Sequence, residues 1–261
     1  MLSLFRELRH HRDLLLMLTW RDIRIKYKQS VMGFLWALLM PTLIVSAGLV
    51  VKLGLSRVSG RPVEVTQLAT VTLKALPWAF FVGAIRFATT SLTSNMSLVT
   101  KIAFPRAVFP LASTLSAAFD FLVASVIVVV VLLVAHVGVS LMLLWVPLLL
   151  ALLAIQVSGL ALLLSAANLF FRDVKYLVEV VITFAIFFTP VFYEVEMFGR
   201  WGKLLMLNPV APLLEGLNAA VVHQRAPDPG WTAYAAAWAL VMMLVGPTVF
   251  QRLEPRFAES I

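Results

Sequence analysis

Two ionisable residues, Arg86 and Asp120, stand alone inside long apolar stretches, where an ionised side chain facing lipid costs about 2.5–3.5 kcal/mol on insertion scales. Two chemistries are open to them. They can pair with each other, or line a wet path and meet a polar cargo. Arg86 stands about nine residues above one end of its stretch and Asp120 about thirteen above the corresponding end of its own, so their heights differ by roughly 6 Å at helical rise, a gap an arginine can bridge. Around Arg86 crowd Trp78, Phe80, Phe81 and Phe87, whose ring faces suit the C–H surfaces of sugars; the alternative is that they mark a membrane interface or pack a core. Upstream, Arg21, Arg24 and Lys28 recur at helical spacing beside Trp20, Ile23 and Tyr27, a basic stripe next to an apolar one. The residues of an enzyme are not assembled: there is no cysteine, Glu194 and Glu196 share one loop, and His10, His11, His136 and His223 show no metal-ligand spacing with acids. Nor is there a Gly-x-x-x-x-Gly-Lys-Ser/Thr phosphate loop, so any ATP must be handled by another polypeptide.

The elements that must position these residues are set by a composition of 61% hydrophobic and 13% charged residues over 261, which requires lipid as solvent. The net charge of +8 then reads through topology and anionic lipid rather than nucleic acid. A crossing takes about 20 apolar residues, and six are expected: Val31–Val51, Ala75–Asn95, Ala107–Ala135, Leu143–Phe170, Val174–Tyr193 and Trp231–Gln251. His136, Gly138 and Ser140 mark the turn between the third and fourth. Glu194–Gly230 holds apolar pieces too short to cross, broken by Asn208, Pro209 and Pro212, and reads as re-entrant or interfacial helices. The expected architecture is thus an all-α membrane protein forming one transmembrane domain. It divides into residues 1–30 with an amphipathic interface helix over Leu14–Ser30, a six-span bundle over 31–251, and a tail over 252–261. Arg6, Arg9, Arg12, Arg21, Arg24, Lys26 and Lys28 all precede the first span, which places both termini in the cytoplasm.

The run Arg21-Asp22-Ile23-Arg24-Ile25-Lys26-Tyr27-Lys28-Gln29-Ser30, followed by Gly33, Trp36 and Pro41, resembles the opening of the ABC exporter permeases that move O-antigen, capsule or teichoic acid chains. The resemblance continues through Leu76-Pro77-Trp78, Lys101-Ile102-Ala103-Phe104-Pro105-Arg106, Phe171-Arg172-Asp173, Pro190-Val191-Phe192-Tyr193, Asn208-Pro209 and Phe257-Ala258-Glu259. It implies a homodimer in a bacterial inner membrane, with a channel between the chains. Two copies of a separate nucleotide-binding ATPase, holding ATP and Mg, would dock beneath. The implied cargo is a lipid-linked polysaccharide passing Trp78, Phe80, Phe81, Arg86, Phe87 and Asp120, with Arg21, Arg24 and Lys28 meeting the carrier's diphosphate. Lys101, Phe104, Pro105, Arg106, Arg172 and Asp173 would receive the ATPase's motion. Alternatives are a permease for a small lipid or drug, or an ion-coupled transporter with Asp120 as its proton site.

Overall fold

The computed structural model describes residues 2–28, 35–59, 65–101 and 104–258. Helices α1 (Leu2–His10) and α2 (Arg12–Lys28) lead into α3 (Leu35–Ser59), α4 (Val65–Ser94), α5 (Met96–Lys101) and α6 (Val108–Val134). After them come α7 (Trp145–Phe170), α8 (Val174–Ala185), α9 (Gly202–Leu205), α10 (Ala211–Val221) and α11 (Pro229–Leu253). Short 3₁₀ turns at Leu141–Leu144, Ile186–Phe188, Val195–Trp201 and Glu254–Ala258 join or close them, and the described residues contain no strand. Among those residues, four helical stretches are long and apolar enough to cross a bilayer: Thr66–Ser94, Val108–Val134, Leu141–Phe170 and Pro229–Phe257.

The expected boundaries are met closely for α6, α7 and α11, where charge and turn residues bracket the apolar runs. Asp228 caps α11, its Oδ1 accepting from Trp231 N at 2.9 Å with Pro229 in the first turn. The turn after α6 falls where His136 and Gly138 predict it; His136 takes φ 51°, and Gln224 Nε2 donates to the Gly138 carbonyl at 2.9 Å. Four boundaries differ. Helix α3 continues eight residues past the expected end at Val51, to Ser59. The helix expected over Leu14–Ser30 runs Arg12–Lys28, and Gln29, Ser30 and the start of the first expected span at Val31 lie outside the described residues. Helix α4 begins ten residues earlier than the span expected at Ala75, because Lys74 has partners inside the protein and so does not end the apolar segment. The span expected over Val174–Tyr193 is helical only to Phe188; Pro190 holds Thr189 extended at φ −115°, ψ 130°.

Helix α4 is the axis of the bundle, packed against α3, α6, α7, α8 and α10. Its neighbour α7 meets α11 at touching backbones: a Cβ on Gly159 would strike the Met242 carbonyl, and one on Gly246 the Gly159 backbone. Close approach through small residues is how apolar helices associate where lipid removes the hydrophobic drive. Gln156 adds a hydrogen bond across the same seam, Nε2 to the Ala235 carbonyl at 2.9 Å. One apolar cluster centres on α4, α7 and α10. A second, around Phe109, Leu169, Phe250 and Phe257, ties α2, α6, α7 and α11 at the opposite end. Helix α6 instead turns Leu122, Val126, Val129, Val130 and Leu133 outward, as a lipid-facing helix does.

Candidate functional site

Where α4, α6 and α8 diverge beside α2, they leave a cavity of about 510 Å³. Helix α4 supplies Trp78, Phe80, Arg86 and Phe87, α6 supplies Asp120 and Phe121, α8 supplies Ile182, and α2 contributes Lys26 and Tyr27. The helical period explains the convergence on α4: Trp78, Val82 and Arg86 are four apart, and Phe80, Gly83 and Phe87 follow at three and four. Five of the six residues expected along a channel therefore share one hollow. The sixth, Phe81, does not line it but stacks on Trp78 with centroids 5.3 Å apart. Trp78 is 3% exposed, so it is a cavity wall and not a residue of the interface belt. Phe80 meets Phe121 across the α4–α6 gap at 5.7 Å.

The ion pair considered between Arg86 and Asp120 does not form. Arg86 donates Nε and Nη2 to the two carboxylate oxygens of Glu179 at 2.6 and 2.9 Å, a bidentate fork of the kind guanidinium favours. Asp120 accepts from Lys26 Nζ at 2.9 Å and from the Tyr27 hydroxyl at 2.6 Å. Matching heights along the membrane normal say nothing about which way each helix is turned. Here α8 brings Glu179 to the Arg86 side of α4, and α2 brings Lys26 to α6. The Lys26 ammonium also lies 4.6 Å from the centroid of Phe87. Burial first, and then the hydrogen bond and charge of Asp120, push the Tyr27 phenol well above its ordinary range, so it remains a donor.

The three cations of the expected phosphate stripe all stand on α2. Arg21 is held by Asp22 at 2.8 Å, Arg24 lies 5.2 Å over the Trp20 ring, and Lys28 is exposed. The buried face of α2 carries Leu18, Thr19 and Ile23 rather than Trp20, which is exposed. Among the residues expected to receive motion, Arg106 is engaged: its backbone N donates to Glu254 Oε1 at 2.7 Å, and its Nη1 to the Glu254 carbonyl at 2.9 Å. Phe104 packs 5.5 Å from Phe109, and Val108 N donates to the Pro105 carbonyl at 3.2 Å. Arg172 and Asp173 are exposed in the turn between α7 and α8. Lys101 closes α5, with its side chain outside the described residues, as are Ile102, Ala103 and Glu259.

A second polar centre is not anticipated by the sequence reading. Lys74, fully buried, donates to Glu215 Oε1 at 3.0 Å and to the Tyr193 carbonyl at 2.9 Å, joining α4 to α10. Burial raises the Glu215 carboxyl above its usual range, and the Lys74 ammonium pulls it back. The signal was present: a lysine three residues before Pro77 and a glutamate within Leu213–Leu217 are both flanked by apolar residues. Lys74 stands one residue before the span expected at Ala75, although α4 runs through it.

Residues 13–222 match the family pattern of ABC-2 type transporters. Over its whole length the chain is 26% identical to the whole of an O-antigen export system permease protein, RfbA, of Myxococcus xanthus. It is likewise 26% identical to an O-antigen export system permease protein RfbA of Klebsiella pneumoniae, with 95% of each chain aligned.

Proposed function

The chain belongs to the ABC-2 type transporter family, and from that membership we propose that it is the permease half of an exporter moving a lipid-linked polysaccharide across a bacterial inner membrane. Two copies would form the channel, and two copies of a separate ATPase, holding ATP and Mg, would drive it. Each chain would cross six times with both termini in the cytoplasm, and the short helices α9 and α10 would dip into the outer leaflet. The observation that carries this reading is the cavity in which Trp78, Phe80 and Phe87 face the Arg86–Glu179 and Lys26–Asp120 pairs. Aromatic faces and fixed polar groups together suit a sugar chain that must slide. End-to-end similarity to two O-antigen permeases supports the choice of cargo. The proton-coupled alternative needs Asp120 to exchange protons with water, whereas its carboxylate is taken up by Lys26 and Tyr27.

In this reading Phe104, Pro105, Arg172 and Asp173 contact the ATPase, and Arg106 transmits through its bonds to Glu254. The test is reconstitution of the chain with its ATPase in proteoliposomes loaded with lipid-linked glycan. Export and hydrolysis should require both subunits, and Phe104→Ala should leave hydrolysis at least partly active while lowering export about tenfold or more, a loss of about 1.4 kcal/mol in coupling. Hydrolysis of ATP by the purified chain alone would show the division of labour to be wrong.

A further inference from the structure

Beside the aromatic cavity, under the C-terminal half of α2, lies a second hollow of about 350 Å³, within the range of about 300–1,000 Å³ that small-molecule sites occupy. Its chemistry differs from that of its neighbour. Arg21, Asp22 and Lys26 line it from α2, Ser91 and Asn95 from the end of α4, and Ser113 and Ser116 from α6. Ser116 is fully buried, and its Oγ has no hydrogen-bond partner among the described residues. This is unusual for these helices: Thr114, two residues earlier, bonds back to the Pro110 carbonyl at 2.9 Å, and Ser91 to that of Ala88 at 2.7 Å. A buried hydroxyl left without a partner costs free energy that a bound ligand can return.

The charges decide which ligand. Both cations of the lining are already paired, Arg21 by Asp22 within it and Lys26 by Asp120 outside it, so neither is free to hold a phosphate, and the Asp22 carboxylate opposes one. What it offers is a dense set of donors and acceptors: hydroxyls that do both, the Asn95 amide, and the Asp22 carboxylate fixed by Arg21. Phe87 forms part of the wall. That set matches the hydroxyls of a sugar ring, each of which also donates and accepts. Resting on the reading of the cargo as a lipid-linked glycan, we propose that this crevice is a sugar subsite that recognises a single hexose-type ring next to the carrier, with Ser116 and Asn95 as its specificity-determining residues. Lys26 and Phe87 line both hollows, so a ring bound here would sit beside the aromatic cavity.

The test uses the full chain in lipid nanodiscs and two synthetic probes, an isoprenyl diphosphate bearing one hexose and the same diphosphate without it. The wild type should hold the glycosylated lipid about tenfold or more tighter, the equivalent of one or two hydrogen bonds. Ser116→Ala and Asn95→Ala should each lose most of that difference while binding the sugar-free lipid as before. Ser116→Ala should also melt no lower than wild type, because it removes an unpartnered hydroxyl; a fall in melting temperature would mean that the hydroxyl serves the fold and would overturn the assignment. Titration with a methyl hexoside separates the sources: binding that Ser116→Ala abolishes assigns the crevice to the sugar itself, and no binding assigns it to sugar presented on its lipid. Equal affinity of the wild type for the two lipids would overturn the proposal and point to phosphate or lipid recognition. So would discrimination that survives in Ser116→Ala. If glycan export is reconstituted but sugar discrimination is absent, only the crevice assignment falls; if no glycan is exported, the cargo reading falls with it.

Discussion

Removing the Lys74 ammonium leaves the largely buried Glu215 carboxylate with only like charge from Glu194 and Glu196 acting on it, while its own fully buried position makes the lysine costly to keep unpaired. Breaking one side of such a pair costs about 3–5 kcal/mol. Lys74→Ala and Glu215→Ala should therefore each lower the yield of folded protein sharply, and Lys74→Met with Glu215→Gln should restore part of it, measured by thermal melting in detergent. Asp120 predicts a milder outcome. Its pair with Lys26 is partly exposed, at 29% and 21%, so Asp120→Ala should cost about 1–3 kcal/mol, mostly from unpairing Lys26. Exchange of the two, Lys26→Asp with Asp120→Lys, should recover α2 docking, read by protection of α2 amides from hydrogen exchange; equal protection in Asp120→Ala and wild type would show that the pair does not hold α2. Arg86 and Glu179 are each nearly half exposed, and screening there leaves the pair little weight in folding. That Arg86 needs a polar partner or a wet wall was legible from its lone charge in an apolar run. Its partner was not, because a contact between helices depends on their rotation about their own axes.

At the scale of elements, the α7–α11 crossing is held by the absence of side chains. Gly159→Leu and Gly246→Val should separate the two backbones and cost upwards of about 1–3 kcal/mol, the range for overpacked cores, since rigid backbone cannot yield as a side chain can. Gly83 on α4 gives the internal control. A Cβ there meets nothing within 4 Å, so Gly83→Ala should melt at or slightly above the wild-type temperature. If the two kinds of glycine respond alike, the close crossing is not what joins α7 to α11. The existence of these helices follows from apolar length alone, and the ends of α6, α7 and α11 from adjacent charges and turn residues. The early start of α4 and the early end of α8 do not, because one depends on distant partners for Lys74 and the other on where Pro190 truncates a helix already docked on α4.

For the whole molecule, the proposed topology is directly testable because the chain has no cysteine. Single cysteines replacing Glu7 and Arg252 should react with an impermeant maleimide only after the membrane is opened, and one replacing Gly199 should react in intact cells; the reverse pattern would invert the orientation proposed here. By itself the sequence determined that this chain lives in lipid, that its helices are long and apolar, that all its channel candidates but Asp120 cluster on one segment, and that its motifs resemble polysaccharide exporters. Those properties are local, fixed by composition, by period and by short runs of residues. Only the tertiary structure decided that Arg86 turns to Glu179 while Asp120 reaches back to α2, that Lys74 and Glu215 meet inside the bundle, and that Ser116 faces a polar crevice without a partner. The rotation of each helix, which chooses these partners, is set by how all the helices pack at once, and no stretch of sequence carries it alone.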